Sequence, residues 1–412
     1  MSFISTQREK FKIFNSNAKR LLQANLLFGL LVPFYVIFSN TFIFGNTDGD
    51  LNFNIIYSAL HFLGNPIGFI MNGFFLRRFH VKSLFIAGMA IIIVNMALMM
   101  FLPAEFFTEL AVLGFGLVSG IGSGMYWSAR TYLTVVSTDD ESRNFFSGLD
   151  FMFLIAGGIV TPFIIGNYIG LTIEYGILSR PVAYQSAILF ALILVSIASF
   201  IVAKGKFETV KIPRFLYYSF EPSWKYTRWF VFIMGIFHGA YLSLPAILMM
   251  TFVGNESDLG IVDSTAHIIA IIAIYIVSSN SKTEHRTKIM MAGSILFLAG
   301  SFAFGAMLSS LAVVATILLV VTFYLTDPTI NFPYRASFMK GIDHSKSIEG
   351  KDEFSYVVDI EQFNALGRLV SIGVFFIFYQ TLPQPWAFPV YISLVAVIQF
   401  ANLYFSKKIN AL

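Results

Sequence analysis

Residues 114–130 read GFGLVSGIGSGMYWSAR, and residues 150–166 read DFMFLIAGGIVTPFIIG. The first run predicts an apolar helix with glycines at positions 116, 120 and 124, a spacing that places them on one face and lets a neighbouring helix approach closely in lipid. The second run predicts another apolar helix. Arg130 and Asp150 lie inside these helices, where a bare charge is costly. We therefore expect the two side chains to face each other or a cavity.

The composition of the whole chain is that of a membrane protein. Hydrophobic residues make up 57% of the 412 residues and charged residues 12%, whereas soluble domains contain about 25% charged residues. With no cysteine, the chain has no disulfide framework and no thiolate metal site. A span needs about 20 apolar residues, and we identify twelve such segments: 21–44, 52–75, 83–102, 107–135, 145–168, 183–203, 228–253, 259–279, 288–308, 310–336, 356–381 and 386–406.

Basic residues concentrate on one side of these segments. With the amino terminus in the cytoplasm, 23 of the 27 Lys and Arg residues fall in cytoplasmic segments and only Arg180 falls in an outer loop, whereas the outer loops contain acids such as Asp48, Asp50 and Glu174. The positive-inside rule therefore predicts that both termini are cytoplasmic. The first segment follows a polar, basic tail without a small-residue cleavage site, which predicts an uncleaved span. We expect an integral protein of a bacterial inner (plasma) membrane.

The two halves of the chain resemble each other. Gly29, Tyr35 and His61 recur 206 positions later as glycine, tyrosine and histidine, Arg130 has a counterpart in Arg335, and Asp150 has one in Asp359. Two halves of the same orientation imply a pseudo-twofold axis along the membrane normal and a site at their interface. The predicted organisation is a cytoplasmic tail (1–20), a six-helix bundle (21–203), a cytoplasmic inter-bundle loop (204–227), a second six-helix bundle (228–406) and a cytoplasmic tail (407–412).

The junction of segments two and three reads GFFLRRFHVK at residues 73–82. It resembles the cytoplasmic loop motif of the major facilitator superfamily, with matches at Gly73, Arg78 and Lys82. Arg77 stands where the motif has Asp, and that Asp helps to close the cytoplasmic side in the family. The departure implies a different gate, in which Arg77, Arg78 and Lys82 face acids at Asp139, Asp140 or Glu141.

Segment five is similar to the antiporter motif of the exporters in that superfamily, with matches at Gly157, Pro162 and Gly166, which we interpret as a helix-packing motif. Arg130 resembles the fourth-helix arginine that is implicated in proton coupling. The resemblance covers the whole chain. It implies an all-α polytopic membrane protein of about twelve transmembrane helices in two pseudo-symmetric six-helix bundles.

Two polar stripes lie within apolar segments. Segment ten contains Asp327, Asn331 and Arg335 at i, i+4 and i+8, and segment eleven contains Glu361, Asn364 and Arg368 at i, i+3 and i+7. Such stripes must line protein or water. They form either a cavity wall that binds substrate and protons or a structural ion-pair network. We also predict cavity positions for a further set of residues: Tyr35, Trp127, His238 and Tyr241.

Individual charged groups have more specific interpretations. Arg130 stays charged and cannot itself release a proton, but it can tune the pKa of a nearby carboxylate. We predict a pair with Asp150 whose charge state is tied to transport. Asp150 and Asp359 lie near the inner ends of their helices, which favours a gating role. For His61 and His267, hydrogen bonding between packed helices is the favoured interpretation.

The sequence contains no Walker A run, dinucleotide fingerprint or His-Glu-x-x-His stretch, so we expect neither an enzyme nor a cofactor or metal. We predict a secondary active transporter that works by alternating access, is coupled to protons and exports a small or amphipathic molecule. The alternatives are a proton-coupled symporter that imports an organic anion, favoured by the three intramembrane arginines, and a lipid flippase. The expected partners are a small-molecule substrate, protons and membrane lipid, with a monomeric protein and no nucleic acid.

Overall fold

The computed structural model describes residues 14–103, 106–138, 140–207, 214–280, 285–383 and 385–412; within these ranges the side chains at 135, 140–145, 147 and 274–280 are outside the description. Throughout the described residues the regular structure is helical, with no strand. The all-α prediction is therefore confirmed. Asp139 lies outside the described residues, as does the side chain of Asp140, so the gate predicted between them and the basic loop stays a prediction.

Each of the twelve predicted segments corresponds to a helix in the described part of the chain. The helices are α1 Ser16–Asn46, α2 Leu51–Phe75, α3 Val81–Phe101, α4 Glu109–Ser137, α5 (Asp140–Thr161, Pro162–Gly166 and Asn167–Glu174), α6 Arg180–Ala203, α7 Trp224–Phe252, α8 Glu256–Asn280, α9 Arg286–Met307, α10 Ala312–Glu349, α11 Glu353–Thr381 and α12 (Ala387–Ile398 and Ala401–Asn410). Ten of them, all except α2 and α8, are long and apolar enough to cross a membrane. The protein is an integral membrane protein.

The helices pack in a pattern that repeats after six helices. In the first half α1 packs on α5, α2 on α4 and α3 on α6, and in the second half α7 packs on α11, α8 on α10 and α9 on α12. Between the halves, α5 packs on α8 and α2 packs on α11. This arrangement matches the two pseudo-symmetric bundles that the sequence repeat predicted.

The glycines of α4 allow that helix to lie directly on the backbone of α2. A Cβ atom at Gly120 would lie 2.1 Å from the carbonyl oxygen of His61, and one at Gly124 would lie 2.0 Å from that of Asn65. Only hydrogen atoms fit in this space. The four-residue glycine spacing therefore has the consequence expected of it in lipid, where close backbone approach holds helices together.

The helix ends form two faces, which we name by their charge. The basic face contains the connections 76–80, 204–207, 214–223 and 350–352, and the acidic face contains the connections 47–50, 175–179, 253–255 and 308–311. The two ends of the described chain, at the start of α1 and the end of α12, lie at the basic face because an even number of helices separates them. That the basic face is cytoplasmic stays a prediction from the positive-inside rule.

Helix α10 is much longer than its predicted segment. It contains 38 residues, a length of about 57 Å at 1.5 Å per residue, whereas the hydrocarbon core of a bilayer is about 30 Å thick. The polar residues 337–349, which follow the predicted segment 310–336, therefore belong to the same helix. These residues are polar because the helix continues past the membrane, and it ends where Gly350 adopts φ +65°, the left-handed cap that glycine allows.

Contacts hold this extension of α10 in place. Ser345 Oγ donates a hydrogen bond to Glu221 Oε1 at 2.8 Å, and Lys340 Nζ donates to the carbonyl oxygen of Asn410 at 2.6 Å.

The predicted tails are also partly helical, since α1 begins at Ser16 behind an Asn15 cap and α12 ends at Asn410.

Candidate functional site

A cavity lies between the two halves, among α5, α7, α8 and α10. Its volume is about 150 Å³, and since a water molecule occupies about 30 Å³ in the liquid, it has room for a few waters or a small functional group. Aromatic and apolar side chains make up most of its wall, together with one carboxylate and one imidazole: Phe151, Leu154, Ile155, Tyr241, His267, Ala270, Tyr324, Asp327 and Pro328.

Asp327 is the carboxylate in this wall. Its Oδ1 accepts a hydrogen bond from Asn331 Nδ2, and the same amide lies 3.3 Å from His238 Nε2. In the described part of the chain, Asp327 forms no ion pair with a basic side chain. The next residue is Pro328, which has no N–H and leaves the helical carbonyl four residues earlier without its usual donor. A polar stretch of α10 therefore faces the cavity.

Asp263 of α8 is a buried acid that the sequence analysis did not select. It is 5% exposed, its Oδ1 accepts a hydrogen bond from the Tyr324 hydroxyl, and its Oδ2 lies 3.2 Å from His267 Nδ1. The sequence predicted that His267 would hydrogen-bond to a neighbouring helix, but its Nδ1 contacts Asp263 of its own helix. An acid and a histidine four residues apart in an apolar segment was the available signal.

Arg130 and Asp150 form an ion pair, as the sequence predicted. Arg130 Nη2 donates to Asp150 Oδ2, and Asn25 Nδ2 donates to Asp150 Oδ1 at 2.7 Å. The guanidinium also lies 4.8 Å from the ring of Trp127, at cation–π distance. Both charged side chains are mostly buried, at 13% and 10% exposure, so each depends on the other for compensation.

The repeat-related pair in the second half is not formed. Asp359 accepts hydrogen bonds from Arg228 Nε at 2.8 Å, from Arg228 Nη2 at 2.7 Å and from Trp224 Nε1 at 2.7 Å. Arg335, the counterpart of Arg130, is exposed and forms no ion pair among the described residues. Its guanidinium lies 5.4 Å from the ring of Phe151 in the first half. The two halves therefore repeat the residue types, Arg and Asp, but not the ion pair that these residues form in the first half.

The polar stripe on α11 meets the first half near α1 and α2. Arg368 Nη1 lies 3.2 Å from Glu361 Oε1, Asn364 Nδ2 donates to Glu361 Oε2 at 3.3 Å, and the Arg368 guanidinium lies 5.8 Å from the ring of Phe62. The next residue along, His61, stacks on Tyr35 at 6.1 Å between ring centroids. Tyr35 lies in a π-helical turn, Phe34–Phe38, a distortion that is frequent at functional sites.

The basic residues of the predicted cytoplasmic gate contact different parts of the protein. Lys82 Nζ donates to the carbonyl oxygens of Ala203 and Gly205, at 3.1 and 3.0 Å, so it stabilises the end of α6 in its own half rather than reaching the second half. The Arg77 guanidinium lies 6.0 Å from the ring of Phe215 in the inter-bundle segment. Arg78 is exposed.

The predicted packing motif of α5 makes contacts of two kinds. A Cβ atom at Gly157 would lie 2.0 Å from the carbonyl oxygen of Gly29, within the first half. Pro162 begins a π-helical turn, and its carbonyl oxygen would lie 2.2 Å from a Cβ atom at Gly260 in α8; Gly166 also packs on Gly260. We call the close contact of α5 with α8 the α5–α8 seam. It includes Gly158, Pro162, Gly166, Gly260, Ser264 and His267.

A buried ion pair joins the halves at the acidic face. Glu256, at the start of α8, is 4% exposed, and its Oε1 accepts hydrogen bonds from Arg180 Nη2 and from the Tyr184 hydroxyl, the latter at 2.9 Å. We call Arg180, Tyr184 and Glu256 the acidic-face clasp. At the basic face, the Phe354 ring of the second half lies 6.3 Å from the Tyr132 ring of the first half.

Comparison with known proteins agrees with this geometry. No protein-family model matches the chain. An uncharacterized protein of Bacillus subtilis (strain 168), YqgE, is 24% identical over 306 residues, which are 72% of this chain and 67% of that protein. The crystal structure of a bacterial homologue of the iron transporter ferroportin, in an inward-facing state, superposes with a TM-score of 0.71 at 11% identity, over 96% of this chain and 99% of that one. The fold is that of a membrane transporter.

This likeness shows the fold alone, and it agrees with the predicted all-helical membrane fold. It carries no information on substrate or direction at that identity. In the described residues of this chain, no group of three or more His, Asp or Glu side chains is placed to hold a metal ion. Among the described residues the site contains one carboxylate and one arginine that form no ion pair, together with a buried Asp–His pair.

Proposed function

We propose that this protein is a proton-coupled secondary active transporter that works by alternating access and exports small amphipathic molecules with a cationic group. The observation that carries the proposal is Asp327, a carboxylate in the cavity wall between the halves whose described hydrogen-bond partner is an uncharged amide. A carboxylate in this position can be neutralised by a proton or by a cation. It offers one group for which the two compete.

A charged carboxylate in a medium of low dielectric is strongly disfavoured unless it is paired or protonated. Reorientation of the empty, charged carrier is therefore expected to be slow, and reorientation of the protonated or cation-loaded carrier to be fast. Tyr241, Tyr324 and Phe151 line the same cavity and supply aromatic faces for the apolar part of a substrate and for cation–π contact.

The test is exchange in proteoliposomes that contain the pH dye pyranine, with ethidium as an aromatic cationic probe. We expect ethidium movement in one direction to drive proton movement in the other, and Asp327→Asn to abolish both. The matched control is Asp343→Asn, which removes an exposed acid from the extension of the same helix and is expected to exchange like the wild type. Wild-type exchange by Asp327→Asn would refute the proposal.

A second candidate is proton-coupled import of an organic anion, which is favoured by Arg335, whose guanidinium forms no ion pair among the described residues. A guanidinium is suited to bidentate binding of carboxylate or phosphate. A ligand that binds only the folded protein at 100 times its dissociation constant raises stability by about 2.7 kcal/mol. Thermal stabilisation by aromatic carboxylates or phosphate monoesters that is lost in Arg335→Gln, without stabilisation by ethidium, would favour the second candidate over the first.

A further inference from the structure

We infer that Asp263, His267 and Tyr324 form a second proton site beside Asp327, and that protonation of this site is coupled to cation binding at Asp327. The inference rests on the proposed function, because it assigns one step of that function to particular atoms. Asp263, His267 and Tyr324 are not among the residues that the sequence predicted for substrate binding and proton coupling, which include Asp150, Asp327 and Glu361.

The site is a buried carboxylate with one hydrogen-bond donor and an imidazole beside it. Tyr324 donates its hydroxyl hydrogen to Asp263 Oδ1, and His267 Nδ1 lies 3.2 Å from Asp263 Oδ2, which accepts no hydrogen bond among the described residues. The imidazole also packs on the Tyr324 ring, with 4.3 Å between ring centroids. A hydrogen-bond donor and a nearby imidazole stabilise a charged carboxylate inside the protein, so the site can exist both with and without an additional proton.

The hydrogen bonds determine which imidazole nitrogen titrates. His267 Nδ1 lies 2.9 Å from the carbonyl oxygen of Asp263 and 3.2 Å from its carboxylate. Both of these atoms are acceptors, so Nδ1 must carry a hydrogen in the neutral and in the charged imidazole. The proton that comes and goes is therefore the one on Nε2. On its arrival the net charge of the Asp263–His267 pair changes from −1 to 0.

The surroundings of the pair contain other groups that respond to this charge. The groups that face it are Tyr324 and Asp327 from α10 and Tyr241 from α7, while α5 contributes the uncharged Phe151, Leu154 and Ile155. Among the described residues, neither Asp263 nor His267 is paired with Lys or Arg. A net charge of −1 on the pair therefore favours a cation at Asp327, and protonation of Nε2 favours its release. Couplings of this kind typically change affinity by about 5- to 150-fold.

Nε2 also lies at the α5–α8 seam, where the two halves meet. A Cβ atom at Gly158 would lie 2.3 Å from Nε2, so the imidazole reaches the α5 backbone only because residue 158 is glycine. One turn earlier in α8, Ser264 Oγ donates to the carbonyl oxygen of Ile159 at 2.8 Å. Protonation places a new N–H donor and a positive charge at this contact. The protonation state of one nitrogen is thereby connected to the packing of the two halves.

The direct test is ¹⁵N NMR of histidine-labelled protein in nanodiscs, with the His267 signals assigned by their absence in His267→Gln. We expect Nδ1 to keep the shift of a protonated nitrogen from pH 5 to pH 9, while Nε2 titrates within that range. In Asp263→Asn the midpoint should fall by at least one pH unit, because the compensating carboxylate is gone. An Nε2 that does not titrate, or a midpoint unchanged in Asp263→Asn, would overturn the inference.

The second test separates this inference from the proposed function. In His267→Gln we expect exchange driven by a pH gradient to fall at least tenfold relative to ethidium counterflow in the same variant, because counterflow needs no net proton movement. His344→Gln, on the extension of α10, is the control. If Asp327→Asn abolishes exchange while His267→Gln and Asp263→Asn keep pH-driven exchange, this inference is wrong and the proposed function stands. If Asp327→Asn exchanges like the wild type, the proposed function itself fails.

Discussion

The acidic-face clasp should control how readily that face opens, and Glu256→Gln is the variant that tests this. Glutamine keeps an oxygen that can accept the hydrogen bond of Tyr184, but it loses the charge that binds Arg180. Arg180 belongs to α6 and Glu256 to α8, so the pair joins the two halves. Opening at the acidic face must separate these side chains. Whatever the pair contributes to the closed arrangement is therefore lost on opening.

The magnitude follows from the burial of the two partners. Removal of one partner from a fully buried pair costs about 3–5 kcal/mol, and a hydrogen bond to a charged group contributes about 1.5–3 kcal/mol. The Glu256 side chain is 5% exposed, but the Arg180 side chain is 31% exposed and remains partly hydrated. We therefore expect about 1.5–2 kcal/mol, near the lower end of these ranges. At 1.4 kcal/mol per factor of ten, the ratio of closed to open protein should fall about 10- to 30-fold.

The assay is the distance between spin labels at the acidic face. The chain contains no cysteine, so labels can be attached at cysteines introduced for Tyr175 and Leu311, which are exposed and lie in different halves. We expect a longer distance to become populated in Glu256→Gln and in Arg180→Gln.

The matched control is Glu353→Gln. Glu353 pairs with Lys346 at 3.4 Å, but this pair is exposed and lies within the second half, so the distances should not change. An unchanged distribution in both clasp variants, or an equal change in the control, would refute the reasoning.

Three further predictions concern stability. Gly260→Ala should destabilise the protein by about 1–3 kcal/mol, because its Cβ would lie 2.2 Å from the Pro162 carbonyl oxygen, whereas Gly373→Ala, which meets open space, should leave the melting temperature unchanged or raise it. Asp359→Asn should lower the free energy of unfolding, measured by heat or denaturant, by about 2 kcal/mol, because it removes the carboxylate charge that Arg228 binds through two hydrogen bonds. Burial would raise the pKa of Glu221, but hydrogen bonds from two serines lower it below its ordinary value of 4.5; its stabilisation is therefore complete above that pH and lost as the pH falls further. Below the ordinary pKa of Glu221, the melting temperature of Glu221→Gln should therefore fall less steeply with falling pH than that of the wild type. Identical dependence on pH in the two proteins would contradict the lowered pKa of Glu221.

Much of the fold was predictable because it depends on local pattern. Apolar length alone located all twelve helices, since a bilayer admits few other structures. The glycine spacing of α4 predicted its close packing, and the cost of an unpaired charge in lipid predicted that Arg130 and Asp150 would meet. The extension of α10 was missed for a related reason. Its residues are polar, and hydropathy records where a helix leaves the membrane rather than where it ends.

The candidate site was less predictable because it depends on which groups compete for the same partner. The repeat relates Arg335 and Asp359 to Arg130 and Asp150, but Arg228 and Trp224 lie on the neighbouring helix and bind the Asp359 carboxylate. Asp263 was passed over although His267 follows it by one helical turn. Its importance depends on the Tyr324 hydroxyl, which comes from a helix some sixty residues later. No local pattern contains that contact.

The length of α10 has a mechanical consequence. Pro328, which lines the cavity, and Pro333, further along the helix, each lack the N–H of a helical hydrogen bond. Such positions are where helices bend. From Pro333 to Glu349 the rod extends about 24 Å, so a bend of about 10° at the proline would move its tip by about 4 Å. The tip lies in water at the basic face. A soluble molecule that binds the end of α10 would therefore respond to, or change, the shape of the cavity without entering it.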